Sequence, residues 1–158
     1  GYWNEDREEA WKRSREMISK LADEAGKLGI CLAMESLRPQ ESQLVVTLKD
    51  AKRMYDEVNS PNLKILIDTT AMSVQGETID DWFDVFGDEV IHTHFIDSNP
   101  YGHLAWGFGN RSLQEYLEAL NRHNYQGCLG QELTEFDYYE NPGEIDRKNM
   151  AAFEPFIR

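Results

Sequence analysis

Four short apolar runs, each closed by a residue able to hold a metal ion, constrain this chain more than any other feature. They are Ile30-Cys31-Leu32-Ala33-Met34-Glu35, Leu63-Lys64-Ile65-Leu66-Ile67-Asp68, Val90-Ile91-His92-Thr93-His94 and Cys128-Leu129-Gly130-Gln131-Glu132. Each has the length of a buried strand, with its polar residue at or near the C-terminal end. The segments between them carry helical periodicity. A helix is expected over residues 4–28, capped by Asn4, with Trp11, Met17, Ile18, Leu21 and Ala25 on one face and Gly29 as its stop. Thr47 caps a second helix, Leu48–Val58, whose face is Ala51, Met54 and Tyr55. A loop with Gly76 leads to a third helix, Ile79–Phe86, ended by Gly87. Ser112 caps a fourth over 113–123, and a last helix is expected over 144–156, beyond Pro142.

A helix followed by four strand–loop–helix units predicts parallel α/β structure with right-handed crossovers. In such folds chemistry collects at the C-terminal ends of the strands, where Glu35, Asp68, the His92-Thr93-His94 pair and Glu132 fall. An eight-unit barrel needs about 250 residues; this chain has 158. Residues 1–158 therefore read as one half-barrel domain. Such a half leaves two strand edges and an interior layer exposed, to be covered by a second copy or by a missing half. The first residue, Gly1, carries the expectation that something precedes it.

Composition narrows the function. Sixteen basic against 29 acidic residues give a net charge of −13, which argues against nucleic acid or an anionic membrane as partner. No segment has the roughly 20 apolar residues that a membrane-spanning helix needs. Cys31 and Cys128 sit inside apolar runs and read as buried reduced thiols, which places the chain in the cytoplasm. Three carboxylates with an imidazole suit Mn²⁺, Mg²⁺ or Co²⁺ better than a thiolate-type zinc site. Residues 97–111, with Pro100, Gly102, Gly107 and Gly109, read as a long structured loop in which Asp97 is an anchor and His103 a substrate contact. Trp106 and Phe108 offer an apolar wall to a substrate, whereas Trp3, Trp11 and Trp82 read as packing residues.

The stretches Met34-Glu35-Ser36-Leu37-Arg38-Pro39-Gln40-Glu41, Ile67-Asp68-Thr69, His92-Thr93-His94-Phe95-Ile96-Asp97 and Gln131-Glu132-Leu133 resemble the sugar isomerase/epimerase superfamily with a xylose isomerase-like barrel. Within it they are most similar to the D-tagatose 3-epimerase and fructoselysine 3-epimerase group, over that family's C-terminal half from its fourth helix through its eighth. The resemblance implies one divalent metal, Mn²⁺ first with Mg²⁺, Co²⁺ or Zn²⁺ as alternatives, on Glu35, Asp68, His94 and Glu132. It also implies that Glu35 and Glu132 are the acid/base pair and that Glu41 contacts sugar hydroxyls. His92 then reads as a packed or supporting histidine. Ala71 and Pro100 replace a His and an Arg that bind substrate in several relatives, which points away from a D-tagatose-type substrate. Phe108 stands where relatives have an acidic residue, for which the sequence offers no account.

The chemistry expected is epimerisation or isomerisation of a ketose or ketose derivative through an enediolate. A base removes a proton next to the carbonyl and an acid returns one to the other face. Other readings are an inosose dehydratase or a hexulose-phosphate isomerase, an endonuclease-IV-like hydrolase, and an inactive self-associating half barrel. A phosphate substrate would need basic groups near the site, for which Arg38 and Arg111 are the candidates.

Overall fold

The computed structural model describes residues 4–157, apart from the side chains of residues 136 and 137. Twelve elements carry the fold: α1 (Arg7–Lys27), β1 (Leu32–Glu35), α2 (Leu48–Val58), β2 (Leu63–Asp68), α3 (Thr69–Val74), α4 (Ile79–Phe86), β3 (Val90–His94), β4 (Asp97–Asn99), β5 (Tyr101–Leu104), α5 (Leu113–Arg122), β6 (Cys128–Gly130) and α6 (Pro142–Phe153). β1, β2, β3 and β6 form one four-stranded sheet in that order, and every pairing is parallel. Four parallel strands joined by helical crossovers are the partial (β/α)8 barrel that the apolar runs predict.

The helix ends show why the segments form where they do. At α2, the Thr47 hydroxyl accepts from Asp50 N–H while the Asp50 carboxylate accepts from Thr47 N–H, a reciprocal capping box; Thr78 and Asp81 repeat it at α4. Gly29, at φ +71°, ends α1 in the left-handed region, and Ile30 N–H reaches back to the Ala25 carbonyl. The α1 cap corrects the expectation. Asp6, not Asn4, accepts from Glu9 N–H, so the helix starts at Arg7. Met17 and Leu21 also fall outside the buried stripe, which runs through Ala10, Trp11, Ala22 and Ala25; they are exposed on a flank of α1 that no described element covers.

The core lies between the sheet and its helices. Ile65 and Ile67 of β2, Val90 of β3 and Phe95 meet Met54, Trp82, Phe86 and Trp11 in one buried cluster. Trp11 and Trp82 pack as expected, each with its indole N–H donating to a carboxylate, Glu57 and Glu77 respectively. Trp3 lies outside the described residues.

The opposite sheet face is different. Strand alternation and register place Cys31 and Glu35 beside Leu66 and Asp68, His92 and His94, and Cys128 and Gly130 on that side. It is the layer that fills the interior of a closed barrel, and here no described helix packs against it. This corrects the reading of buried cysteines: both are exposed, because their runs put them on the uncovered face. Among the described residues no helix is long and apolar enough to cross a membrane.

Three further details depart from expectation. β3 stops at His94, although the apolar Phe95 and Ile96 that follow carry the strand pattern on to residue 96 in the sequence. Residues 97–111 are not only loop, because β4 and β5 pair antiparallel around Pro100. An additional short helix, α3, starts directly after β2.

Candidate active site

Each strand delivers its last polar residue to the same end of the sheet. Glu35 closes β1, Asp68 closes β2, His94 closes β3, and Glu132 lies two residues beyond β6. Potential ligand atoms of these four residues all lie within 4.8 Å of one another. His94 Nδ1 is the hub: it is 2.6 Å from Glu35 Oε1, 3.2 Å from Glu132 Oε2 and 3.9 Å from Asp68 Oδ2.

The surrounding structure fixes each of them. Asp68 caps α3, its Oδ1 accepting from Ala71 N–H at 2.6 Å. The Thr69 hydroxyl donates to the Ile96 carbonyl at 2.8 Å and accepts from Ile96 N–H at 3.0 Å, tying the end of β2 to the exit of β3. β6 approaches β3 closely because Gly130 has no side chain; a Cβ there would sit 2.8 Å from the Thr93 carbonyl oxygen and 3.0 Å from His92 Nε2. Next to Glu132, Gln131 accepts from the buried Asn149 of α6 at 2.6 Å. His92 stands at right angles to His94 with ring centroids 5.7 Å apart, a supporting position, and burial followed by the neighbouring His94 pulls its pKa down.

The hairpin adds His103. Its ring is buried against the cluster, with Nδ1 3.0 Å from Glu132 Oε2, although not aligned as a hydrogen bond, and Nε2 3.7 Å from Asp68 Oδ2. Asp97 holds this segment in place by accepting from the backbone N–H groups of Ser98, Gly107, Gly109 and Arg111. A Cβ at Gly109 would collide with that carboxylate, which accounts for the glycine.

The set fits a cation. Asp68 is 2% exposed, yet its Oδ2 has no hydrogen-bond partner. Burial pushes the Asp68 carboxyl above the usual carboxylate value, against the pull of Ala71 N–H and the two histidines. Burial raises Glu35 in the same way, against the pull of His94. A single imidazole proton cannot serve three carboxylates, whereas a divalent ion takes oxygen ligands and one imidazole together. An orphaned buried carboxylate oxygen at the centre of such a group is a donor that fits a divalent cation.

Glu35, Asp68, His103 and Glu132 line a cavity of about 90 Å³ with Ser36, Leu37, Arg38, Glu41 and Ala71. Glu41 reaches it as half of an ion pair: Arg38 Nη2 donates to Glu41 Oε1, and Arg38 N–H to Glu41 Oε2 at 3.1 Å. Trp106 does not. It is 2% exposed, in the core against Phe95, Tyr116 and Phe153, with its indole N–H donating to the Phe95 carbonyl at 3.0 Å. This corrects its assignment as a sugar contact, since its ring faces the helices rather than the strand ends. Phe108 is half-exposed and meets Tyr138 edge-on. Sequence reasoning missed Ser36 as a cavity residue. Its place directly after Glu35, at the strand exit, was the available signal.

A parallel half barrel with a carboxylate–histidine cluster at its strand ends defines a class, and comparison with known proteins gives the family. The model of the xylose isomerase-like TIM barrel family matches residues 1–155, and the chain belongs to that family. The fructoselysine 3-epimerase of Escherichia coli O157:H7 is 30% identical over 149 residues, covering 93% of this chain and 54% of that protein. A D-psicose 3-epimerase of Enterocloster bolteae is 32% identical over 123 residues, 78% of this chain and 38% of that one. Among solved structures, a D-psicose 3-epimerase determined in the presence of D-fructose superposes with a TM-score of 0.69 at 26% identity, covering 82% of this chain and 46% of that chain. The E. coli 3-keto-D-glucoside 4-epimerase shares the fold, with a TM-score of 0.81 at 19% identity over 98% of this chain and 57% of that chain. The chain spans about half the length of the curated relatives it matches.

Proposed function

We propose that this chain is the metal-binding, acid/base half of a ketose 3-epimerase or isomerase, with residues 1–158 a single half-barrel domain. Its open sheet edges and uncovered interior face would be completed by a second copy or by the other half of a barrel. The observation that carries the reading is the convergence of three carboxylates on His94 Nδ1 with Asp68 Oδ2 left unpartnered. Glu35, Asp68, His94 and Glu132 would hold one divalent ion, Mn²⁺ first. When bound, it supplies positive charge opposite the oxygens of an enediolate.

The protein's own part is proton transfer and orientation. One of Glu35 and Glu132, as carboxylate, takes the carbon-bound proton beside the carbonyl. The other, protonated, returns a proton to the opposite face, so that the configuration inverts and the two exchange protonation states. Burial already holds the Glu35 carboxyl up, which suits a group that must carry a proton in part of the cycle. Glu41 and His103, both lining the cavity, orient the substrate hydroxyls. Two unbridged cysteines are in keeping with a reducing, cytoplasmic setting.

In an eight-stranded barrel that contains this chain, Glu35→Gln and Glu132→Gln should each slow ketose epimerisation by about 10²–10⁴-fold. Each variant should confine solvent-deuterium uptake at the epimerised carbon to the epimer whose proton faces the remaining glutamate. Activity within a few-fold of the parent in either variant contradicts the assignment.

A further inference from the structure

Outside the metal cluster, the cavity contains polar atoms that the proposed chemistry leaves unused. Among the described residues, four buried side-chain polar atoms lack a hydrogen-bond partner: Ser36 Oγ, Arg38 Nε, Asp68 Oδ2 and His103 Nδ1. All four residues line the one cavity at the strand ends. Buried donors and acceptors are almost always paired, so orphans gathered in one hollow mark the place where a polar ligand completes them. Asp68 Oδ2 belongs to the cation and His103 Nδ1 faces Glu132, which leaves Ser36 Oγ and Arg38 Nε.

These two are held rigidly. Ser36, 1% exposed, follows Glu35 at the exit of β1. The turn after it is closed by Glu41 N–H to the Arg38 carbonyl at 2.9 Å, by Leu37 N–H to the Val45 carbonyl at 3.0 Å, and by the Arg38–Glu41 ion pair. That pair occupies one end of the guanidinium and leaves Nε–H as a single buried donor. Glu41 already holds one guanidinium N–H through Nη2, its other oxygen taking the Arg38 backbone N–H, so a phosphoryl group would have to share this guanidinium with a carboxylate. Glu35, Glu41, Asp68 and Glu132 also put four carboxylates on the cavity wall, against Arg38 as its one Lys or Arg. Arg111, the other basic candidate, lies elsewhere, its Nε–H donating to the Ser98 hydroxyl at 3.0 Å.

We infer that Ser36 and Arg38 form a hydroxyl-binding shelf beside the metal cluster, on which Arg38 Nε–H and Ser36 Oγ read two neighbouring oxygens of an unphosphorylated ketose. Arg38 donates to one sugar oxygen, and Ser36 exchanges a hydrogen bond with the next. A phosphoryl group at this position meets four carboxylates, with one guanidinium already paired to Glu41 to receive it. The shelf rests on the proposed function, because it needs the ketose to enter this cavity.

The test is calorimetry of the Mn²⁺-loaded chain with D-psicose and with D-fructose 6-phosphate as probes, on the parent, Ser36→Ala and Arg38→Lys. The Arg38→Lys exchange keeps the charge that pairs with Glu41 but removes Nε, so a purely structural role for the ion pair predicts no change in that variant. The expected result is D-psicose affinity about 5–10-fold weaker in each variant, the loss of one hydrogen bond, with Mn²⁺ affinity within about twofold of the parent. The parent should also prefer D-psicose to the phosphorylated sugar by at least about tenfold. Unchanged ketose affinity in both variants, no ketose binding by the Mn²⁺-loaded parent, or preference for the phosphorylated sugar overturns the shelf. Absence of Mn²⁺ uptake by the parent overturns instead the metal reading on which it rests.

Discussion

Replacing Asp68 by Asn should make the metal-free protein more stable while removing its ability to gain stability from metal. The Asp68 carboxylate is 2% exposed, with Oδ1 paired to Ala71 N–H and Oδ2 unpaired. Asn is as good a helix cap as Asp, so the bond to Ala71 survives, and its amide can donate toward Glu132 or His94. What is relieved is a buried unsatisfied charge, costing about 1–3 kcal/mol; what is lost is the favourable charge at the start of α3, about 0.3–1 kcal/mol. The balance spans about 0–2.7 kcal/mol and centres on about 1.4 kcal/mol, or a Tm increase of roughly 3–6 °C at that centre for a domain of this size.

The sign with pH follows from the raised carboxyl. At low pH Asp68 is protonated in both folded and unfolded chains and costs nothing. As pH rises above the ordinary Asp value of about 3.9, the unfolded chain ionises first and parent stability falls, until the folded carboxyl ionises too. The advantage of Asp68→Asn is therefore full at neutral pH and closes in acid. Added Mn²⁺ at about 100 times its Kd should stabilise the parent by about 2.7 kcal/mol and the variant little, inverting the order. Calorimetric melts with and without Mn²⁺ measure both effects. A metal-free variant that melts below the parent at pH 7 refutes the reasoning.

Mn²⁺ affinity should weaken as pH falls from neutral, because Glu35 and Asp68, held above the usual carboxylate value by burial, must lose their protons to bind metal; a pH-independent Kd contradicts this. Thr47→Ala should lower Tm by roughly 2–4 °C through loss of about 1 kcal/mol of capping at α2, read in a thermal melt. Trp106→Ala should cost about 3–5 kcal/mol in denaturant unfolding, as a core truncation does, whereas a surface sugar contact would cost little. Glu89, lowered chiefly by its hydrogen bond from Lys64, contributes stability that is present above the ordinary Glu value of about 4.3 and is lost as pH falls through its folded pKa. Lys64→Met should therefore melt below the parent at pH 7, with the difference shrinking in acid.

Much of this was legible because it is written in local chemistry. Leu48–Val58 and Ile79–Phe86 are bounded by capping residues, and Leu63–Asp68 is a continuous apolar run, so their limits agree between sequence and structure. The meeting of Glu35, Asp68, His94 and Glu132 follows from strand ends in a parallel sheet, a rule of topology rather than of spacing. What was not legible depends on neighbours distant in sequence. Cys31 and Cys128 look buried in their own runs, and only the uncovered sheet face exposes them. Trp106 lies in a glycine-rich segment that reads as loop, yet Asn149 from α6 accepts its backbone N–H at 2.8 Å and it closes the core. Arg38 was legible only as a basic group near the site and Ser36 not at all, because it is the fold that brings their unpaired Nε and Oγ into one cavity.

The most direct measurement of the central claim is Mn²⁺ binding by calorimetry on this chain and on its Glu35→Ala, Glu132→Ala double variant. The four-residue cluster predicts a single site in the parent that is lost in the variant. Mn²⁺ bound equally by both, or by neither, would contradict a metal centre built from these four strand ends.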